Sequence, residues 1–182
     1  MILIQDIYTI RTNDQTSYGY IDLEHVWNIG GVPYAPDERK RANVYNLERG
    51  TIPAGASGSK TTWEGAIGLM YASDYGYSTS STSSNCDLTM WSWDRYSECY
   101  SNSWLYDENM SQWTLTPRSD YTYEVFFVRN LGEVFDDHSI LVEGSYVDYT
   151  GAYMARPALF LKSNIKIVGG QGTYDEPYTL GI

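Results

Sequence analysis

The run Glu124-Val-Phe-Phe-Val-Arg129, followed after Asn130 by Leu131-Gly-Glu-Val-Phe135, carries the clearest strand signal in the chain. β-branched and aromatic residues flank a Gly-containing break, a pattern that reads as a strand, a hairpin turn and a return strand. Strand alternation sends successive side chains to opposite faces, so Tyr123 is expected outside where Val128 is inside. The adjoining Phe126 and Phe127 blur that phase.

Working outward, Trp113-Thr-Leu115 runs into Thr116-Pro-Arg118 on one side, and Arg156-Pro-Ala-Leu-Phe-Leu161 forms a short apolar strand on the other. Ile165 to Val168 precedes Gly169-Gly-Gln-Gly172, a tight turn that leads to the closing Pro177-Tyr-Thr-Leu180. Ile2 to Ile10 reads as an N-terminal strand. Helical spacing is found at Tyr20 to Ile29, with Ile21, Leu23, Val26, Trp27 and Ile29 stopped by Gly30-Gly31. Pro33 to Arg41 is a polar connection, Gly50 to Lys60 is loop, and the Ser/Thr run Ser78 to Ser84 is expected to be a flexible surface loop. Many short strands, one or two helices, no internal repeat and no βαβ rhythm predict an α+β domain, with residues 1–182 as a single unit.

The formal net charge of −11 repels phosphate backbones, and Arg39-Lys40-Arg41 is the only basic cluster, so no nucleic-acid partner is expected. The same charge argues against an anionic membrane surface, and no apolar run has the length needed to span a bilayer. Tyrosine and tryptophan, 18 and 6 residues, far outnumber the 4 phenylalanines. Rings with a polar handle suit binding surfaces, and equally suit the strands of a β-rich fold.

Chemistry-bearing patterns are few. Cys86 and Cys99 lack CxxC spacing, and His25 and His138 lie too far off in sequence to complete a zinc motif. In an exported protein the two cysteines form a disulfide closing a loop of about 14 residues, worth about 3 kcal/mol in the chain-entropy model. In a cytosolic protein they are two ordinary thiols. There is no G-x-S-x-G elbow, and Gly169 to Gly172 lacks the Lys-Ser/Thr of a phosphate loop. Asp136, Asp137, Glu143 and Asp148 have the oxygen chemistry calcium prefers but no EF-hand spacing, so no metal or other cofactor is assigned. Asn109-Met-Ser111 matches a glycosylation acceptor, which by itself decides nothing.

An ordered set of segments resembles a known family: Trp63-Glu-Gly-Ala-Ile-Gly-Leu-Met-Tyr-Ala-Ser-Asp-Tyr-Gly-Tyr77, Cys86, Cys99, Asn102-Ser-Trp-Leu105, Trp113-Thr-Leu-Thr-Pro117 and Arg156-Pro-Ala-Leu-Phe-Leu-Lys-Ser-Asn-Ile-Lys-Ile167. Gly169-Gly-Gln-Gly-Thr173 and Pro177-Tyr178 complete it. Together they are similar to the formylglycine-generating-enzyme branch of the C-type-lectin fold, as in exported surface proteins of Gram-positive gut bacteria and in variable proteins of diversity-generating retroelements. The likeness is best from Val44 to Ile182. It implies twisted antiparallel sheets, about two helices, long irregular loops and paired N- and C-terminal strands. It also implies export to the cell surface, hence the disulfide, with the signal segment already removed. Enzymes of that branch use a cysteine pair near the C-terminus; this chain has no cysteine after Cys99, so catalysis is not carried over.

The stretch from Ser119 to Tyr149, between the scaffold-like segments, is therefore the expected binding surface. Its candidates are Tyr121, Tyr123, Glu124, Arg129, Asn130, Glu133, Phe135, Asp136, Asp137, His138, Tyr146, Asp148 and Tyr149. Tyrosines supply rigid contacts and carboxylates supply acceptors for a cationic or hydroxyl-rich partner, a protein or glycan on another cell or surface. The composition of Phe135-Asp-Asp-His-Ser-Ile-Leu141 is what adenine-directed mutagenesis in a retroelement variable protein leaves behind. A structural module of a larger surface or pilus-like assembly is the competing reading. At least two of Trp63, Trp104 and Trp113 are expected in the core; Trp91 and Trp93, between the cysteines, are read as loop anchors.

Overall fold

The computed structural model of the chain describes residues 2–3, 21–33, 40–50, 60–120, 125–137, 153–171 and 175–182. It is α+β, with short helices and several small sheets. Two compact units divide the chain, each discontinuous in sequence. The first comprises Met1–Trp27, Glu64–Leu69 and Arg156–Ile182, and the second comprises Asn28–Trp63 and Met70–Ala155.

In the first unit, β1 (Ile2–Leu3) and β4 (Ile67–Leu69) flank β9 (Pro157–Leu159) in an antiparallel sheet. A separate ribbon pairs β10 (Lys166–Gly169) with β11 (Thr179–Gly181) around the expected glycine turn. The first strand thus pairs with the Arg156–Leu161 segment, while the last strand pairs with β10. Trp27 fills this core: its Nε1 donates to Gly65 O at 2.7 Å, and its ring meets the edges of a stacked His25–Phe160 pair.

The helix expected over Tyr20–Ile29 is not formed. The chain turns at Leu23–Glu24 and continues as β2 (Val26–Gly30), which forms a two-stranded sheet with β3 (Lys60–Glu64). Leu23 and Val26 are exposed, so the apolar spacing did not mark one buried stripe. Gly30 is buried because the backbone there approaches Leu47 closely: a Cβ would lie 1.8 Å from the Leu47 carbonyl oxygen.

The second unit is built on a four-stranded sheet of β7 (Val134–Asp137), β6 (Val125–Val128), β5 (Gln112–Pro117) and β8 (Met154–Ala155), in that order. The first three strands are antiparallel, and β8 joins β5 in parallel. The hairpin expected at Glu124–Phe135 is β6–β7. Phe126, Phe127 and Val128 are all buried, as befits a central strand covered on both faces, and this is why their phase was unreadable.

β5 inverts the usual pattern. Its buried face is Gln112, Thr114 and Thr116, while Trp113, Leu115 and Pro117 are only half-buried. The inward side chains bond the backbone: Gln112 Nε2 donates to Leu105 O at 2.8 Å and Thr114 Oγ1 to Phe126 O at 2.7 Å. The expectation for the tryptophans therefore fails. Trp63 and Trp104 are 45% and 54% exposed and Trp113 is half-buried, whereas the fully buried tryptophans are Trp27 and Trp93. Anchoring between the cysteines holds for Trp93, against which Tyr75 packs at 5.4 Å between ring centres.

Helix α1 (Arg41–Glu48) escaped the sequence reading, since only Val44 and Leu47 mark its apolar side. Its last residue, Glu48, is fully buried and sets the start of α2 (Ala72–Tyr77). Ser73 N donates to Glu48 Oε1 at 3.2 Å, Thr116 Oγ1 donates to the same oxygen at 2.5 Å, and the Ser73 hydroxyl bonds Oε2. Ala72 N donates to Thr116 Oγ1 at 2.9 Å, and Tyr71 N to Asp74 Oδ2 at 2.7 Å. The opening amides of a six-residue helix, which has no internal partners for them, are thus met by side chains from α1, β5 and the helix itself. Arg49 closes the network with Glu48 (3.2 Å) and Asp74 (2.9 Å), its guanidinium lying over the rings of Tyr45 and Tyr71.

Burial pushes the Glu48 carboxyl up to about 7, against the hydrogen bonds from Ser73 and Thr116 that pull it down. A native pKa raised above the unfolded value favours the protonated group, so the associated stability is present below about pH 4.5 and is lost as pH rises through about 7. Chemical denaturation at pH 5 and pH 8 is expected to show the chain more stable at the lower pH, with Glu48→Gln shrinking the difference. Glu48→Ala, which strands several buried donors, is expected to cost about 3 kcal/mol.

Candidate functional site

The binding candidates that the structure describes with their side chains are Arg129, Asn130, Glu133 and Phe135, all on or beside the β6–β7 turn. Arg129 N donates to Glu133 O at 2.9 Å, and Gly132 N donates to Arg129 O at 2.9 Å, closing the turn. Gly132 has φ +100°, and a Cβ there would fall 2.3 Å from the Tyr100 ring, so glycine is required twice over.

Three tyrosines hold this turn. Tyr75, buried on α2, donates its hydroxyl to Gly132 O at 2.7 Å. Tyr106 donates to Asn130 O at 2.8 Å, and Tyr100 lays its ring against Gly132 and, at 4.9 Å, against Tyr106. Asn130 N adds a bond to Ser111 Oγ at 3.3 Å. Burial pushes the Tyr75 phenol far above its ordinary range, so it is a neutral, fixed donor at physiological pH. The Tyr106 phenol is also raised, by burial first and then by Tyr100, Glu108, Asp107 and Glu133.

The disulfide is the anchor for this clamp. Cys86 and Cys99 are joined, with Cα atoms 5.4 Å apart and both residues fully buried. Cys86 sits in the 3₁₀ turn Ser84–Asp87 and Cys99 in α3 (Ser97–Tyr100), so the bond fixes the helix whose last residue meets Gly132. The Ser/Thr run leading into it is pinned by a hydroxyl cascade, where a flexible loop was expected. Ser81 N donates to Thr79 Oγ1 and Ser83 N to Ser81 Oγ, each at 3.2 Å, and Asn85 N donates to Ser83 Oγ at 3.3 Å.

On the turn itself, the side chains have different fates. Leu131, at the tip, is 53% exposed. Glu133 is 4% exposed, and its Oε1 accepts from Arg129 Nη1 at 2.7 Å. Arg129 also lies over Phe135 at 5.4 Å, and Phe135 packs edge-on against Trp91 at 4.7 Å. Glu133 therefore faces inward rather than standing on an open display, because the turn needs its carboxylate to hold the Arg129 head.

Asp136 and Asp137 belong to β7, opposite Phe126 and Val125, with their side chains outside the described set. Tyr121, Tyr123, Glu124, His138, Tyr146, Asp148 and Tyr149 lie outside the described residues, as does Glu143 of the calcium candidates. Among the described residues no group of three or more His, Cys, Asp or Glu is placed to hold a metal ion, and no helix is long and apolar enough to cross a membrane. Sequence reasoning missed Tyr75, Tyr100 and Tyr106. The one available signal was Tyr100 following Cys99, which ties it to the disulfide.

No family model, no curated protein and no solved structure matches the chain.

Gly132→Ala forces a side chain into a left-handed backbone and into the Tyr100 ring, and is expected to lose about 2 kcal/mol or more in urea denaturation. Tyr75→Phe leaves the Gly132 carbonyl without its buried donor and is expected to lose about 1–3 kcal/mol in the same assay.

Proposed function

We propose that the chain is an extracellular ligand-binding domain of adhesin or receptor type, a binding module with no catalytic role. The observation that carries this reading is the Arg129–Glu133 turn: a disulfide, two tyrosine hydroxyls and a tyrosine ring converge to hold a segment whose tip, Leu131, faces solvent. Rigid presentation of a few exposed groups beside aromatic side chains is what low-entropy recognition requires. A buried disulfide suits an oxidising compartment and supports export.

The C-type-lectin-like architecture belongs to this proposal, as do the flanking candidates Tyr121, Tyr123, Glu124, His138, Tyr146, Asp148 and Tyr149. The mixed α+β layout, with β1 returning to pair near the C-terminus, agrees with it. Diversification by a retroelement is part of the same reading, and a reverse transcriptase with a near-identical template repeat beside the gene is its expected signature.

One observation favours the second reading, a packing module in a surface assembly. The β10–β11 ribbon leaves Ile167 and Val168 both more than half exposed.

Glycan and cell-surface-protein arrays are the direct test. A ligand found there is expected to bind at least tenfold more weakly to Asn130→Ala/Leu131→Ala and to Tyr123→Ala/Asp137→Ala, with melting temperatures unchanged. Binding that survives both pairs places the site elsewhere, and an Ile167→Asp/Val168→Asp variant that alone abolishes self-association or partner capture supports the assembly reading.

A further inference from the structure

Glu133 holds one hydrogen bond fewer than its position calls for. The residue is 4% exposed, Oε1 is engaged by Arg129, and Oε2 is buried with no donor. A buried carboxylate oxygen without a partner is costly, and such groups are rare enough in folded proteins that each one asks for an explanation.

The surroundings indicate which donor fits. Arg129 already displays the chemistry: a guanidinium on the carboxylate at 2.7 Å and over the Phe135 ring at 5.4 Å, so this corner accepts a cation through both charge and ring face. Tyr100 and Tyr106 form a second aromatic pair that packs against the same turn, with Asp107 and Glu108 following in the chain. Electrostatic coupling of Tyr106 to Asp107, Glu108 and Glu133 marks the place as negative. Among the described residues no arginine or lysine other than Arg129 bonds Glu133. The Arg129 side chain is 38% exposed, so the cation on this carboxylate is itself within reach of solvent.

We infer that Glu133, on the turn that Tyr100 and Tyr106 hold, is a receptor for a cationic side chain, a lysine or arginine presented by a partner polypeptide, with Arg129 as the intramolecular occupant that the partner joins or displaces. The ligand class is a basic segment of a protein. The −11 net charge of the chain draws such a segment in, and the buried carboxylate oxygen gives it a register. This inference rests on the binding-module reading and names the chemistry of its partner.

The test is titration of the full chain with a fluorescein-labelled peptide containing two adjacent lysines, alongside the same peptide with glutamines in their place. The lysine peptide is expected to bind at least tenfold more tightly. Glu133→Gln is expected to weaken it at least tenfold, while Asp175→Asn, which makes the same change in net charge at an exposed site, changes it less than twofold. Arg129→Gln removes the competing cation and is expected to tighten binding, an outcome that a purely structural role for the Arg129–Glu133 pair does not produce. Should Glu133→Gln fail to fold, Tyr100→Leu serves in its place, with a fivefold or greater loss expected. Equal losses in Glu133→Gln and Asp175→Asn, no preference for lysine, or weaker binding by Arg129→Gln overturn the inference. So does competition by calcium chloride beyond that of sodium chloride at matched ionic strength, which assigns the oxygen to a metal. An array ligand that depends on Asn130 and Leu131 but shows no preference for a basic segment overturns this inference alone and leaves the binding-module reading in place.

Discussion

A single carboxylate organises the larger unit. Glu48 ends one helix, accepts the second amide of another and takes a hydroxyl from the central sheet, so three elements meet at two oxygen atoms. None of those elements is stable alone: α2 spans six residues and α1 eight, well short of the length at which isolated helices persist in water. Burying a carboxylate is unfavourable, and here hydroxyls, an amide and the Arg49 guanidinium offset part of that cost while burial still raises its pKa. The network also explains why β5 turns polar side chains inward. Thr116 is a relay between an amide on α2 and a carboxylate on α1, a task no aliphatic side chain performs.

The same α2 carries Tyr75, which reaches the β6–β7 turn, so the carboxylate and the candidate site are connected through one short helix. On the opposite side the disulfide and α3 bring Tyr100 to the same glycine. The turn is thus held from two directions, by structures that the Ser78 and Ser103 hydroxyls bond together just past the helices, and its exposed tip inherits the rigidity of both.

Legibility in the sequence followed the physics of each element. The β6–β7 hairpin was readable because two β-rich runs flank a glycine whose positive φ the turn requires, and the glycine turn before β11 was readable for the same reason. The cysteine pairing followed once export was granted. The Tyr20–Ile29 helix was misread because Trp27 alone among its apolar residues is fully buried, anchored by a ring stack and one indole hydrogen bond that span long stretches of chain. The tryptophan assignment failed at β5, where hydrogen bonding overrode hydrophobicity in choosing the inner face. Glu48 gave no local signal, since its partners Ser73 and Thr116 come from distant segments. In the candidate site, Arg129 and Asn130 lie on the turn, Glu133 faces inward, and the clamping tyrosines were invisible because nothing in their spacing distinguishes them among 18.

The pairing of Ile2 with Leu159 has a consequence for biosynthesis. Most of the described residues lie between β1 and β9, so β1 leaves the ribosome long before its mate and must wait for it. Closing so long a loop is slow, and an uncovered apolar edge invites wrong partners in the interval. The sheet of the first unit is accordingly closed late, and a nascent chain halted before Arg156 has no means of completing it.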